Sequence, residues 1–527
     1  MDTRNVAALA MALAITGCAI ETGETDGELG GDADAAPDLS PDSADLDVML
    51  ARHGNDHNRL PNHVPVLDAT GVFTTVSRHG FIDLDNEFFQ DLGTNGRRCV
   101  SCHVPTVGWT ITPRELQTVF NATDGGKFED GLGLSAVFRT VDGSNSPNAD
   151  VSTLAKRRQA YSMLLNRGVI RIGLPIPSNA EFDLVAVDDP YKFASAAQLS
   201  LFRRPLPTAN IFFDSTVMWD GRETVPNQAI VLDLQNQANT ATVTHAQGKP
   251  LTQAQRESIV NFTFALASAQ TFDRTAGDLH AAGARGGPDE VLKQPFHIGI
   301  NDNFGETING KFIPFTPIVF DIYDKWTNIG GKDNGHCNPY DRGCDDHGRY
   351  DRRADYRDQG KISQLDEARR AVARGQALFN TKPIKIVGVS GINDEDVFGR
   401  PAVLMGTCTT CHDAPNAGNH SVVAPLNIGL VDEARRTPDM PLYTLRNKAT
   451  GEIVKVTDPG RALIDGKWAH IGRFKGPMLR NLAARAPYFH NGFAKDFDAV
   501  IDFFEDRFKI GFTKQERSDL IAFLRSL

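Results

Sequence analysis

Apolar residues recur at helical spacing in five stretches of the chain. The clearest closes the sequence: Leu520, Ile521, Phe523 and Leu524 form one stripe behind Thr513-Lys514-Gln515-Glu516, a capping box. Similar patterns predict helices over 226–237, 253–269, 366–379 and 498–508, with a shorter one over 85–92. Residues 167–187 alternate apolar and polar positions and predict two short strands around Pro175 and Pro177. From 111 to 150 the pattern breaks up among Gly, Asn and Asp and predicts loops. The polar, densely charged stretch 330–359 reads as an interdomain boundary. Beyond residue 20, no run approaches the ~18 apolar residues of a membrane-spanning helix.

The first eighteen residues read as an address. Val6 to Ile15 is too short to cross a bilayer, fits a signal-peptide core, and ends in Ile15-Thr16-Gly17-Cys18, which resembles a bacterial lipoprotein box. The expected products are a lipidated Cys18, a membrane attachment through that anchor, and a location in the periplasm or at the outer membrane. Charge supports a tether behind it. Ten acidic residues and no basic one lie between Cys18 and Arg52, so this segment holds nearly all of the net charge of −11. Rich in Asp, Gly, Ala and Pro, residues 19–55 bury too little to offset the entropy of folding. The remainder is close to neutral, and nothing points to nucleic acid.

Spacing accounts for all seven cysteines. Cys18 belongs to the lipid box. Cys337 and Cys344 lie in a loop rich in Gly, Asp and Asn and read as a local disulfide, with a metal site using His336 or His347 as the alternative. The other four form Cys99-Val100-Ser101-Cys102-His103 and Cys408-Thr409-Thr410-Cys411-His412. Cys-x-x-Cys-His is the attachment signature of c-type haem: two thiols one turn apart meet the two vinyl groups, and the adjoining imidazole reaches the iron. A thioredoxin-type pair or half a zinc site leaves the His after each pair unexplained. Two covalent haems are therefore expected, held by Cys99, Cys102, Cys408 and Cys411, with His103 and His412 as proximal ligands. The region around the second motif resembles a class I cytochrome c, with Gly375 and Phe379 placed to meet the last helix. The fold class expected is mainly α. It comprises an N-terminal haem domain (56–330), the polar loop 331–360 and a C-terminal cytochrome c-like domain (361–527), with loop-rich insertions and a few short strands.

Three segments together resemble the bacterial di-haem cytochrome c peroxidase superfamily, which includes the tryptophan-modifying enzyme MauG. They are the paired haem motifs; Met218-Trp219-Asp220-Gly221-Arg222-Glu223; and Phe474-Lys475-Gly476-Pro477-Met478-Leu479-Arg480-Asn481 running on to Ala486-Pro487-Tyr488-Phe489-His490-Asn491-Gly492. The resemblance implies that Trp219 lies between the haems and assists electron transfer. It implies a small redox protein or quinol-linked donor, peroxide or dioxygen as oxidant, and calcium between the domains, for which the Asp-rich loop 341–351 is the candidate. Arg222 is expected to pair with haem propionates, since a guanidinium fork matches a carboxylate.

On the open face of each iron the sequence departs from the family. Its peroxidases place a distal His between the first motif and the Trp, and no His occurs from 104 to 222. They carry a Glu after the Trp, where 228–237 offers only Asp233. His245 is the candidate distal ligand or acid–base group at the first haem. At the second, the family's Met or Tyr position falls on Phe504, leaving His490, Met478 and His470, with His490 the first choice and a propionate hydrogen bond its alternative role. The function expected is an exported di-haem oxidoreductase of peroxidase or MauG-like type. An electron-transfer cytochrome and a di-haem oxygenase of an organic substrate stand as alternatives.

Overall fold

A computed structural model describes residues 58–131, 133–330 and 362–527. The signal segment and tether, the interdomain boundary, Cys18, Cys337, Cys344 and the loop 341–351 lie outside the described residues. Everything described belongs to one unit, Leu39–Leu527, and no described helix is long and apolar enough to cross a membrane.

The mainly α expectation does not hold. Helix makes up 32% and strand 18%, the mixture of an ordinary α/β-containing globular protein. The missed strands lack the alternation that betrays a half-buried strand. Gly71–Ser77 is buried at every position and pairs antiparallel with Leu266–Asp273; with both faces covered, no period of two is left to read. The helix expected over 253–269 stops at Phe264, and the chain turns at Ala265 into that strand. The two strands expected around Pro175 and Pro177 form as Ile170–Leu174 and Phe182–Asp188. They find separate partners: the first pairs with Leu199–Arg203, the second with Leu442–Asn447 from far along the chain.

Helices follow their caps. Lys514–Arg525 starts at Thr513, whose side chain accepts from Glu516 N while Glu516 reaches back. Gln364–Thr381 starts at Ser363 and Phe497–Phe508 at Asp496. Within the stretch expected to be loops, Thr112 caps Pro113–Ala122, with Pro at the first position and Glu115 in the first turn. The helix expected over 226–237 is Ile230–Thr244, and that over 85–92 shrinks to a 3₁₀ turn, Glu87–Phe89.

The pairing that supports the second haem motif rests on one glycine. Gly375 lets Gln364–Thr381 approach Lys514–Arg525 so closely that a Cβ there would sit 2.0 Å from the carbonyl oxygen of Asp519 and 2.7 Å from Phe523 Cβ. Phe379, one turn on, packs 5.7 Å from the Phe523 ring and 6.0 Å from His412. Alanine favours a helix over glycine by ~1 kcal/mol, but overpacking against backbone costs about 1–3 kcal/mol. Gly375→Ala is therefore expected to lower stability in a denaturant melt of the haem-loaded protein, and an unchanged or raised midpoint would show that the helices can separate freely.

Candidate functional site

Both haem motifs fold into the same local device. Cys99–Ser101 and Cys408–Thr410 are 3₁₀ turns closed by the side chains of Ser101 and Thr410 on the preceding backbone N–H groups. His103 N bonds to Cys99 O at 3.0 Å, and His412 N to Cys408 O at 3.1 Å. Six residues beyond each His a backbone carbonyl takes Nδ1: Trp109 O at 3.3 Å from His103, Gly418 O at 2.7 Å from His412. Such a bond fixes the tautomer and leaves Nε2 as the ligating atom. Burial lowers both imidazoles to about 4, so each lone pair is available at neutral pH.

Each device opens on a cavity, of about 200 Å³ at the first motif and about 190 Å³ at the second. Cys99, Cys102 and His103 line one; Cys408, Cys411 and His412 line the other. Burial pushes the thiols up, to about 12 for Cys99, Cys408 and Cys411 and about 11 for Cys102. A thioredoxin-type pair needs a lowered thiol, so these surroundings disfavour that rival. The first cavity also has a cationic edge. Arg204 lines it, buried, with its guanidinium bonded, among the described residues, to the carbonyls of Arg167, Ile111 and Arg485 and to no carboxylate. Burial, with Arg485 nearby, lowers that guanidinium to about 9. A buried cation without a carboxylate suits a haem propionate. The residues present thus fit a haem at each motif.

Trp219 lines both cavities. Its Nε1 donates to Arg204 O at 2.8 Å, its carbonyl accepts Lys475 N at 2.9 Å, and its ring meets His490 edge-on at 6.1 Å. The next residue, Asp220, is fully buried between Arg203 and Arg222, and Arg203 also forks onto Asp458 at 2.8 and 3.0 Å. Burial alone would raise the Asp220 carboxyl, yet the two guanidiniums hold it below its ordinary value. Arg222 lines the first cavity, but its Nη1 spans both Asp220 oxygens at 3.1 Å. Arg204 is a further guanidinium in the first cavity wall that sequence reasoning did not single out; its signal was the Arg203-Arg204 doublet ending an apolar strand.

His245 and His490 reach the two cavities separately. His245 caps Ile230–Thr244, whose Leu234, Gln237, Ala238, Ala241 and Thr242 share the same cavity wall. Its Nδ1 lies 2.9 Å from Asp142 Oδ2. Asp233 is elsewhere, accepting from Val225 N and Gln228. His490 lines the second cavity, 1% exposed, stacked on Phe474 at 4.0 Å, with neither ring nitrogen hydrogen-bonded among the described residues. Burial lowers it to about 4. Leaving such groups unpaired costs about 1–3 kcal/mol each, so its edge suits a group inside the cavity. Phe504 lines the same cavity. Met478 instead packs in the cluster of Phe212 and Phe213, and His470 binds Asp465 at 2.7 Å. Among the described residues no group of three or more His, Cys, Asp or Glu is assembled as a metal-ion site.

No family model matches the chain. Among characterised proteins it is similar to cytochrome-c peroxidase IdrP2 of Denitromonas iodatirespirans, 30% identical over 136 residues, which is 23% of this chain and 36% of that protein. Cytochrome-c peroxidase IdrP1 of Pseudomonas sp. strain SCT is 29% identical over 140 residues, with the same shares. Cytochrome c551 peroxidase of Nitrosomonas europaea is 26% identical over 140 residues, 26% of this chain and 35% of that protein. The chain thus spans little more than a third of the relatives it matches. Over that portion it is similar to bacterial cytochrome c peroxidases.

Proposed function

We propose that this protein is a di-haem oxidoreductase that reduces peroxide at the first haem with electrons stored at the second. The observation that carries this reading is Trp219, one indole in the wall of both cavities. Each haem, bound at its Cys pair, supplies the iron that exchanges electrons with oxidant or donor. The polypeptide does the rest. His103 and His412 present Nε2 from a fixed tautomer. Arg204 receives a propionate of the first haem. His490 offers the second haem the nitrogen that the family's Met or Tyr position, Phe504 here, cannot. His245 faces the first cavity as the group that moves protons. The relatives' printed names support peroxide as the oxidant; a small redox protein is the donor that fits a buried second centre. The export signal read over 1–18 completes the proposal, with Cys18 as a lipid anchor in the cell envelope.

Optical and EPR spectra of the purified diferric protein test it. A high-spin signal that changes on adding hydrogen peroxide is expected; two low-spin haems inert to peroxide would sink the enzymatic reading and leave an electron carrier. Two substitutions sharpen it. His490→Ala is expected to turn the second haem from low-spin to high-spin with both haems still attached. An unchanged low-spin spectrum would assign His490's nitrogens to a propionate instead. Trp219→Phe keeps the packing and both spectra, but is expected to slow reoxidation of the reduced second haem by peroxide in stopped flow. An unaltered rate would remove the indole from the path.

A further inference from the structure

The family's acid–base carboxylate is missing from its usual run, and the structure assembles another pair at the same cavity. Asp142 comes from the loop after the Ser135–Val137 turn, and His245 from the end of Ile230–Thr244, 103 residues later. Arg97, two residues before the first haem motif, joins them. Its guanidinium bonds to Asp142 Oδ2, donates to Ala136 O at 2.9 Å and Val137 O at 3.0 Å, and approaches His245 O at 3.5 Å. Asn95 Nδ2 also holds His245 O, at 2.8 Å. Arg97 is 4% exposed and Asp142 9%, while the His245 side chain keeps 32%.

We propose that Asp142, locked by Arg97, is a positioning residue that presents Nε2 of His245 to the open face of the first haem for proton transfer. The inference rests on the peroxidase reading above and deepens it. With Asp142 accepting from Nδ1–H, the lone pair of the neutral ring lies on Nε2. Burial would raise the Asp142 carboxyl, but the hydrogen bond from His245 and the charge of Arg97 outweigh it and hold the group at about 2. The carboxylate therefore stays ionised and acceptor-only. His245 and His103 line the same cavity, with Cys99 and Cys102 in its wall. The small Ala238 and Ala241 of the adjoining turns line the same cavity. Arg139 and Arg171 are the other charges near Asp142; Arg139 Nη2 donates to Gln247 at 3.0 Å, and Arg171 donates to Ser200 Oγ at 2.8 Å and Val141 O at 2.9 Å.

The chemistry balances without a further reactant. Reducing one hydrogen peroxide to two waters consumes two electrons, from the haems, and two protons, from solvent. His245 Nε2 takes the proton from one peroxide oxygen and returns it to the other as the O–O bond breaks, so the leaving group departs as water rather than hydroxide.

The test mixes the di-haem protein with hydrogen peroxide in stopped flow and records EPR of each diferric variant. His245→Ala is expected to slow the peroxide reaction about 10²–10⁴-fold while leaving the first haem's EPR signal in place. Asp142→Ala is expected to slow it about 10–100-fold, and Asp142→Glu to recover most of that. Asp142→Asn preserves the side chain's shape if alanine disturbs the buried Arg97; two haems per chain and an unaltered circular dichroism spectrum certify its fold. In the His245→Ala background, Asp142→Asn is expected to add no further loss, because it acts through the missing imidazole. Wild-type rates in the Asp142 variants, or losses that add to that of His245→Ala, would overturn the assignment while leaving the peroxidase reading intact. Conversion of a low-spin first haem to high-spin by His245→Ala would make His245 an iron ligand and overturn it too. A wild-type protein inert to peroxide would remove the underlying reading itself.

Discussion

The buried ion network around Arg203 is the constraint on which the seam between the cavities depends. Arg203 is 2% exposed and Asp220 fully buried, and taking such charges out of water costs several kcal/mol per ion. The arrangement is tolerable because two guanidiniums and two carboxylates balance, and because Arg203 reaches both acids through separate nitrogens. Removing one partner from such a cluster costs about 3–5 kcal/mol, so the four side chains stand or fall together. Asp220 is fixed within that cluster and Trp219 precedes it, so the indole's position follows from electrostatics rather than packing alone. Asp458 comes from the second half of the chain, just beyond the strand Ile453–Val456. The same network therefore also ties the halves together at the place where one aromatic ring must serve two cavities.

The family block 474–492 supplies the other side of the seam. Lys475 N holds the carbonyl of Trp219, and Lys475 Nζ bonds Asp214 at 2.7 Å and Thr216 O at 2.9 Å. Arg204 N reaches His490 O at 2.6 Å, while the Arg204 guanidinium holds Arg485 O. The backbone of this block thus docks against the first half of the chain at several points.

How far the sequence could be read depends on the range of each signal. The haem motifs, the capping box at Thr513 and the small residue at Gly375 are local, and the structure places them as the pattern implied. Trp219 and His490 were singled out through resemblance, and both line cavities, Trp219 the two of them and His490 the second. The sheets were not, because Gly71–Ser77 is buried on both faces and its partner begins at Leu266, so neither periodicity nor proximity marks the pair. Pro113–Ala122 carried a cap, a proline and a glutamate in order, but the surrounding Gly and Asn hid them. Asp142 was beyond reach for a different reason. Its role exists only because a loop and a helix end meet across about a hundred residues, and an isolated Asp in a polar loop has no local signature.

The two cavities share their proximal device but differ on the opposite side, and that difference sorts the chemistry. The first is lined by Arg97, Arg98, Arg203, Arg204 and Arg222 together with a part-exposed imidazole. The second is walled by Phe379, Phe489, Phe504, Phe508 and aliphatic groups together with Lys475, and its His490 ring is buried with no hydrogen-bond partner among the described residues. Breaking an O–O bond demands protons as well as electrons, and a proton can be delivered only where a polar group communicates with water. Storing an electron demands neither, and an apolar lining lowers the reorganisation that charge transfer requires. The lining richer in guanidinium groups therefore suits the proposed oxidant site and the more aromatic one the proposed reservoir. Trp219 stands in the wall of both, its indole N–H donating to Arg204 O.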